Sequence, residues 1–248
     1  MTTVIYYTDG RLPADFAALV RRWLVWAAGN CPIVVVSQTP VPGWPDAIVT
    51  GEITSSYRSL LAQVTRGIEA ARTDTIACAE HDCLYTPEQF TWQPPRPDVL
   101  YYNLHHWFLQ WTGPSRGVFT NRRRLVLSQL VASRDVALEA FRQRLWMVEH
   151  EALLETAVSD AMTIDDLREV LFVEPGTKDH KPAYGALQTL FAAQGVTIQR
   201  WPKHRFRTVD PNVDLRHDLN WTGARVGQHP RLTLPPWGTL ADIERGPA

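Results

Sequence analysis

Cysteine is scarce in this 248-residue sequence: Cys31, Cys78 and Cys83 are the whole complement. An odd number with no C-x-x-C spacing excludes a disulfide framework and a cysteine-based structural zinc site, and it points to a reducing compartment. Net charge is almost absent as well, at −1. That excludes nucleic-acid binding by bulk electrostatics but leaves room for a local basic patch. No apolar run is long enough to span a bilayer, and the opening residues Met1–Gly10 pass straight into a β-branched, aromatic run with no basic leader. A cytoplasmic protein is the expectation. There is no glycine-rich phosphate loop, which ranks a nucleotidyltransferase low among the enzymes that work on nucleotides. No internal repeat or low-complexity tract is present.

What is there suits a globular chain, with 45% hydrophobic and 21% charged residues. The length fits one domain. Thr3–Tyr7 reads as a strand closed by the turn signal Thr8-Asp9-Gly10. Pro13 opens a helix whose Phe16, Leu19, Val20, Trp23, Leu24 and Ala27 share one face, and Gly29-Asn30 ends it. Pro32–Ser37 is a continuous apolar run, as in a buried parallel strand. Ala47–Val49 reads as a third, short strand. In the amphipathic helix over Ser56–Arg72, the residues Tyr57, Leu60, Leu61, Val64, Ile68 and Ala71 line one face. A strand over Thr75–Ala79 follows. This β-α-β-β-α-β order predicts an α/β fold, an open and mostly parallel sheet with flanking helices. Ligands of such sheets sit beyond the carboxyl ends of the strands. Thr8-Asp9, Ser37-Gln38 and Glu80-His81-Asp82 all stand at such ends.

The second half has a different texture. Asp98–Asn103 and His105–Trp111 read as two strands of a hairpin-like layer, with Gly117–Asn121 as a third. Arg122–Ala157 reads as largely helical with a break near Ser133. Pro175-Gly176 marks a loop, Val196–Arg200 reads as a short strand, and the remainder reads as loop-rich. Ten tryptophans are many for this length. Trp92, Trp107, Trp111, Trp201, Trp221 and Trp237 lie outside the helical stripes, where tryptophan either packs core and loops or lines a sugar or base site.

The densest chemistry is in Thr75–Tyr85. A helix feeds a buried strand that ends in Glu80-His81-Asp82, so a carboxylate is fixed at the rim of the sheet, where it can hold a divalent cation and, through it, a diphosphate. In this respect the N-terminal half resembles the nucleotide-binding half of the GT-A glycosyltransferases, with Glu80-His81-Asp82 standing where that superfamily has its DxD-type motif. The first position is Glu instead of Asp. Toward the C-terminus, Val213-Asp214-Leu215-Arg216-His217 followed by Asn220-Trp221-Thr222-Gly223 resembles the ending of small phage-type glycosyltransferases. These are similar to enzymes encoded beside ten-eleven-translocation-type oxygenases, which glycosylate hydroxymethylated cytosine in DNA. Tyr6–Leu12, Tyr101–Leu104 and Glu174-Pro175-Gly176 fit the same group. The resemblance covers roughly the first two-fifths of the chain and the last segment.

The resemblance implies one GT-A-like domain over 1–248, with a nucleotide-sugar-binding half at 1–112 and an acceptor half at 113–248. It implies Mn or Mg as cofactor, a nucleoside diphosphate sugar (UDP-sugar) as donor, and 5-hydroxymethylcytosine in DNA as acceptor, in a host cell's cytoplasm if the chain is phage-encoded. Asp82, Glu80 and a C-terminal His217 become the metal ligands, against readings as a solvated turn and an ordinary histidine. Thr8, Asp9, Arg11 and Arg58 become donor contacts, although Asp9-Gly10 is also a strong turn dipeptide. Arg216 serves either a phosphate or a salt bridge with Asp214 or Asp218. Glu174 is the candidate base for the acceptor hydroxyl, with Glu149, His150 and Glu151 as rivals. Trp201, Lys203, Arg205 and Arg207 mix cations with aromatics, the texture of a nucleic-acid contact, whereas Arg122–Arg124 read as a solvated helix face. His105 and His106 are adjacent on a strand, face opposite ways and make poor co-ligands. A saccharide or small-metabolite acceptor is the alternative, as is a binding protein that keeps the fold without the chemistry.

Overall fold

The computed structural model describes residues 1–51, 54, 56–121, 125–150, 188–193, 195–199, 201–217 and 228–247. The expectations for Glu174, Glu151, Arg122–Arg124 and Asn220–Gly223 lie outside the described residues.

The alternation seen in the first eighty residues forms as expected. Strand β1 (Thr2–Thr8) pairs in parallel with β2 (Ile33–Ser37) on one side and β4 (Thr75–Glu80) on the other, and β2 pairs in parallel with β3 (Ile48–Val49). Helix α1 (Ala14–Ala28) follows Pro13 and ends at Gly29, whose φ of 54° lies in the left-handed region that glycine adopts at low cost. Helix α2 (Tyr57–Ala70) starts from Ser56, which exchanges hydrogen bonds with Ser59 in a capping box. Because side chains alternate along a strand, Val4 and Tyr6 pack under α1, while Ile5 and Tyr7 pack under α2.

Gly67 shows how close that second layer sits. A β-carbon there would lie 2.3 Å from Ile5 Cγ2. Glycine inside a helix costs about 1 kcal/mol relative to alanine, whereas overpacking costs about 1–3 kcal/mol. Gly67→Ala should therefore lower the denaturant midpoint despite its better helix propensity. A variant more stable than the parent would show that α2 has room to move off β1.

The second half departs from its expected layout. Leu130–Ser133, read from sequence as part of a helix, is a strand (β9) inserted antiparallel between β4 and β6 (Leu100–Asn103). Its residues Leu130, Val131 and Ala132 are buried on both faces of the sheet, so no alternation marked it. Past the short α3 (Pro87–Thr91) earlier in the chain, helix α4 (Arg134–Glu149) begins only after β9 and packs against α2 through Ala137, Ala140 and Phe141. The hairpin-like layer is also corrected. β6 belongs to the large sheet, while β7 (His106–Gln110) and β8 (Phe119–Asn121) pair in a second one. Residues 196–199 are not a strand; the strand is β10 (Lys203–Phe206), at the edge of the large sheet and parallel to β6. The stretch beyond, read as loop-rich, supplies β11 (Asn212–Arg216), β12 (Gln228–Arg231) and the short helix α5 (Leu240–Arg245).

The result is a mixed α/β fold. Its seven-stranded sheet runs β10-β6-β9-β4-β1-β2-β3, parallel except for β9, with α1 on one face and α2 and α4 on the other. A five-stranded sheet, β12-β8-β7-β11-β5, includes β5 (Cys83–Leu84). It packs through Leu84, Trp107, Leu109, Phe119, Val213 and Leu215 onto Phe16, Leu19, Val20 and Trp23 of α1. Both sheets draw strands from before and after residue 112. Among the described residues, no helix is long and apolar enough to cross a membrane.

Candidate metal and donor site

The chain leaves the large sheet at Glu80 and enters the small one at Cys83, so Glu80-His81-Asp82 is the joint between the two sheets. Three tethers hold it. The Glu80 amide donates to Tyr85 Oη at 2.9 Å. β5 pairs antiparallel with β11, setting Cys83 opposite Asp214. The Leu215 amide donates to the Asp82 carbonyl at 2.7 Å. Through β11, residues more than 130 positions downstream are brought against the acidic joint.

His217 Nε2 stands 3.6 Å from Asp82 Oδ2, an electrostatic contact longer than a hydrogen bond. Both side chains are largely buried. Arg216 pairs with Asp214 at 3.1 Å and lies over the Phe108 ring at 3.9 Å. His81 Nδ1 is 2.7 Å from Thr8 Oγ1 and 3.6 Å from Asp9 Oδ1. The Thr8 hydroxyl accepts from the Gly10 amide, and Asp9 accepts from the Arg11 amide. The loop after β1 is thus moulded around the acidic joint, and Gln63 of α2 donates to the Thr8 carbonyl from below.

The two carboxyls of the joint are not equivalent. Burial, then the neighbouring Asp82 and Asp214 charges, push Glu80 well above the usual carboxylate range, against the pull of Arg216. Burial also counts against charge on Asp82, but His217, His81 and Arg216 outweigh it and hold Asp82 below its ordinary value. Of the two, Asp82 is the more readily ionised and Glu80 the more readily protonated. Burial and the same carboxylates push the Cys83 thiol well up, which disfavours a thiolate beside Asp82.

Ligand atoms of His81, Asp82 and His217 lie within 4.8 Å of one another, as do those of Glu80, Asp82 and Cys83. One ionised carboxylate flanked by imidazoles suits a divalent ion that accepts both oxygen and nitrogen. Of the predicted metal ligands, Asp82 and His217 meet in the first group and Asp82 and Glu80 in the second. His81 joins the first, although sequence reasoning had not assigned it. Strict alternation would aim it away from its neighbours, but the chain turns at this point.

Thr8, Asp9 and Arg11 also come to this rim. Arg58 stands on the first turn of α2, ion-paired with Glu149 of α4 at 3.1 Å. His150 caps α4 and stacks on Trp146. The basic stretch lies elsewhere. β10 is three strands from β4, about 14 Å at the usual spacing. Arg205 and Arg207 are exposed and Lys203 is half-buried. The aromatics of the stretch face inward, with Trp201 packed against the α2/α4 core and Phe206 stacked on Trp92 at 3.9 Å. His106 is buried in β7, whereas His105, just before that strand, meets the Thr208 carbonyl through Nδ1 at 2.9 Å.

No protein-family model and no curated protein sequence matches this chain. Among solved structures, a nucleotidyl transferase from Methanothermobacter overlaps 57% of this chain and 76% of its own length, at 15% identity and a TM-score of 0.32. A Drosophila β-1,4-galactosyltransferase 7 variant, solved with manganese, UDP-Gal and xylobiose, overlaps 58% of this chain at 12% identity and a TM-score of 0.35. The overlap covers 51% of that galactosyltransferase's chain.

Proposed function

We propose that this protein is a metal-dependent glycosyltransferase of the GT-A kind, using a nucleoside diphosphate sugar, most simply a uridine one. The observation that carries the proposal is the joint itself: an ionised, buried Asp82 at the end of a central parallel strand, faced by His217 and His81 at the rim where α/β sheets bind ligands. Asp82 and His217 would hold Mn or Mg, with His81 or Glu80 completing the set. The ion would supply charge neutralisation at the diphosphate leaving group. Thr8, Asp9 and Arg11 would meet the nucleoside, and Arg216, held rigid by Asp214 and Phe108, would meet a phosphate.

The acceptor suggested by the resemblance around Asp214–His217 is 5-hydroxymethylcytosine in DNA, with Lys203, Arg205, Arg207 and Trp201 as phosphate and base contacts and Glu174 as base. Extruding the base would cost a few kcal/mol, which contacts to the backbone would have to offset. A saccharide is the rival acceptor.

Titration with manganese and UDP tests the donor half. Each should tighten the binding of the other, and omission of the metal should abolish donor turnover. Independent binding of UDP and manganese, without turnover of any sugar nucleotide, would leave a metal-independent binder instead. Incubation with UDP-sugars and hydroxymethylcytosine-containing DNA, followed by nucleoside mass spectrometry, tests the acceptor. A hexose-sized gain confined to the modified base supports DNA; transfer to a saccharide alone overturns it.

A further inference from the structure

A cavity of about 620 Å³ opens beside His217, between the N-terminal half of α1, the Trp111-Thr112 turn and α5. Its apolar wall is Phe16 and Trp111, with ring centroids 5.1 Å apart, and Phe16 also presents to His217 at 5.1 Å. Its polar wall is Asp15, Arg22 and Glu244. Glu244 is ion-paired with Arg116. Among the described residues that leaves the Asp15 carboxylate and the Arg22 guanidinium, so the lining is close to neutral and selects against a multiply charged group. Aromatic faces set against hydrogen-bonding groups of both signs match a neutral ring bearing hydroxyls: the ring lies on the aromatic face, and the hydroxyls reach Asp15, Arg22 and Thr112. His217 belongs to this cavity's lining and also faces Asp82, so a ring seated here abuts the candidate metal site.

We propose that this cavity is the acceptor pocket, with Trp111 as its stacking platform, and that it takes a neutral, hydroxyl-bearing ring. The assignment rests on the glycosyltransferase reading of the neighbouring joint. Two sources supply that chemistry, an extruded 5-hydroxymethylpyrimidine or a saccharide, and the cavity accommodates either by volume.

The test uses the full chain and two probes without donor: the nucleoside 5-hydroxymethyl-2′-deoxycytidine and a set of methyl hexosides, read by saturation-transfer NMR. One class should bind saturably, and Trp111→Ala should weaken it at least about tenfold, the order expected for one lost stacking face. Trp111→Phe should restore most of the binding. Ala18→Trp fills the cavity from the half-buried side of α1 without removing a core contact, so it covers the case in which Trp111→Ala fails to fold; it should abolish the signal. Manganese–UDP binding should be unchanged in all three variants. If neither probe binds, or if folded Trp111→Ala and Ala18→Trp bind like the parent, the pocket assignment falls while the donor reading stands. If manganese and UDP fail to bind but a probe binds through Trp111, the pocket stands and the transferase reading falls.

Discussion

Asp82→Asn should cut metal-dependent donor turnover by roughly a thousandfold and remove the stabilisation that manganese and UDP together confer on the folded protein. The substitution keeps the shape of the side chain and deletes its charge. Asp82 is the one carboxyl of the joint held ionised, since Glu80 is pushed toward its protonated form. With Asp82 neutral, a cation between His81 and His217 would face two imidazoles and an amide, a poor set for a hard ion. Lewis-acid stabilisation of a leaving phosphate supplies several kcal/mol, and each 1.4 kcal/mol is about tenfold in rate. The fold should survive with some loss of stability, because the amide keeps the shape of the side chain but gives up the attraction of His217, His81 and Arg216 to the carboxylate. Turnover and the shift of melting temperature on adding manganese and UDP check this. A folded Asp82→Asn protein that keeps turnover within tenfold of the parent would remove Asp82 from the site. His217→Ala should act in the same direction but less severely, since His81 remains.

Phe141→Ala should be the most destabilising single truncation on the α2/α4 face, by about 3–5 kcal/mol. Phe141 is fully buried in the middle of α4, in the cluster formed with Leu61, Val64 and Ile68 of α2 and with Ile76 and Leu130 of the sheet. Removing the ring opens a cavity among side chains that belong to three elements and cannot all close in together. Since whole domains are stable by about 5–15 kcal/mol, much of the protein should be unfolded well below the parent's denaturant midpoint. The expected signature is a lower midpoint with an unchanged slope. A loss under 1 kcal/mol would mean that α4 repacks freely and that the α2/α4 layer is not a fixed wall of the fold.

The first eighty residues were legible in the sequence because their signals are local. The 3.6-residue spacing of Phe16, Leu19, Val20 and Trp23, the apolar run over Pro32–Ser37 and the punctuation at Gly10, Gly29 and Ser56 each concern residues within one element. The acidic triplet was legible for the same reason, as a strand end followed by polar residues. β9 was not. Its Leu130, Val131 and Ala132 are buried on both faces and run directly into a helix, so neither alternation nor length separates strand from helix there.

The partnership of Asp82 with His217 was suggested by resemblance, but no spacing rule connects residues 135 positions apart. The small sheet makes it: β5 is two residues long and has no strand signal of its own, yet its antiparallel pairing with β11 sets Asp214, Arg216 and His217 at the acidic joint. Ionisation was likewise a tertiary matter. Glu80 and Asp82 are near-identical groups two residues apart, yet burial and the neighbouring Asp82 and Asp214 push Glu80 up while His217, His81 and Arg216 pull Asp82 down. The sequence by itself determined the periodicity of the helices, the parallel strands of the N-terminal half and the carboxylates at their ends, because those depend on near neighbours and on burial pattern. The two-sheet arrangement, the inward turn of Trp201 and Phe206, the cavity at Trp111 and the division of charge within the joint were decided by the tertiary structure. Each depends on which distant segments share a face, and on the low-dielectric contacts that result.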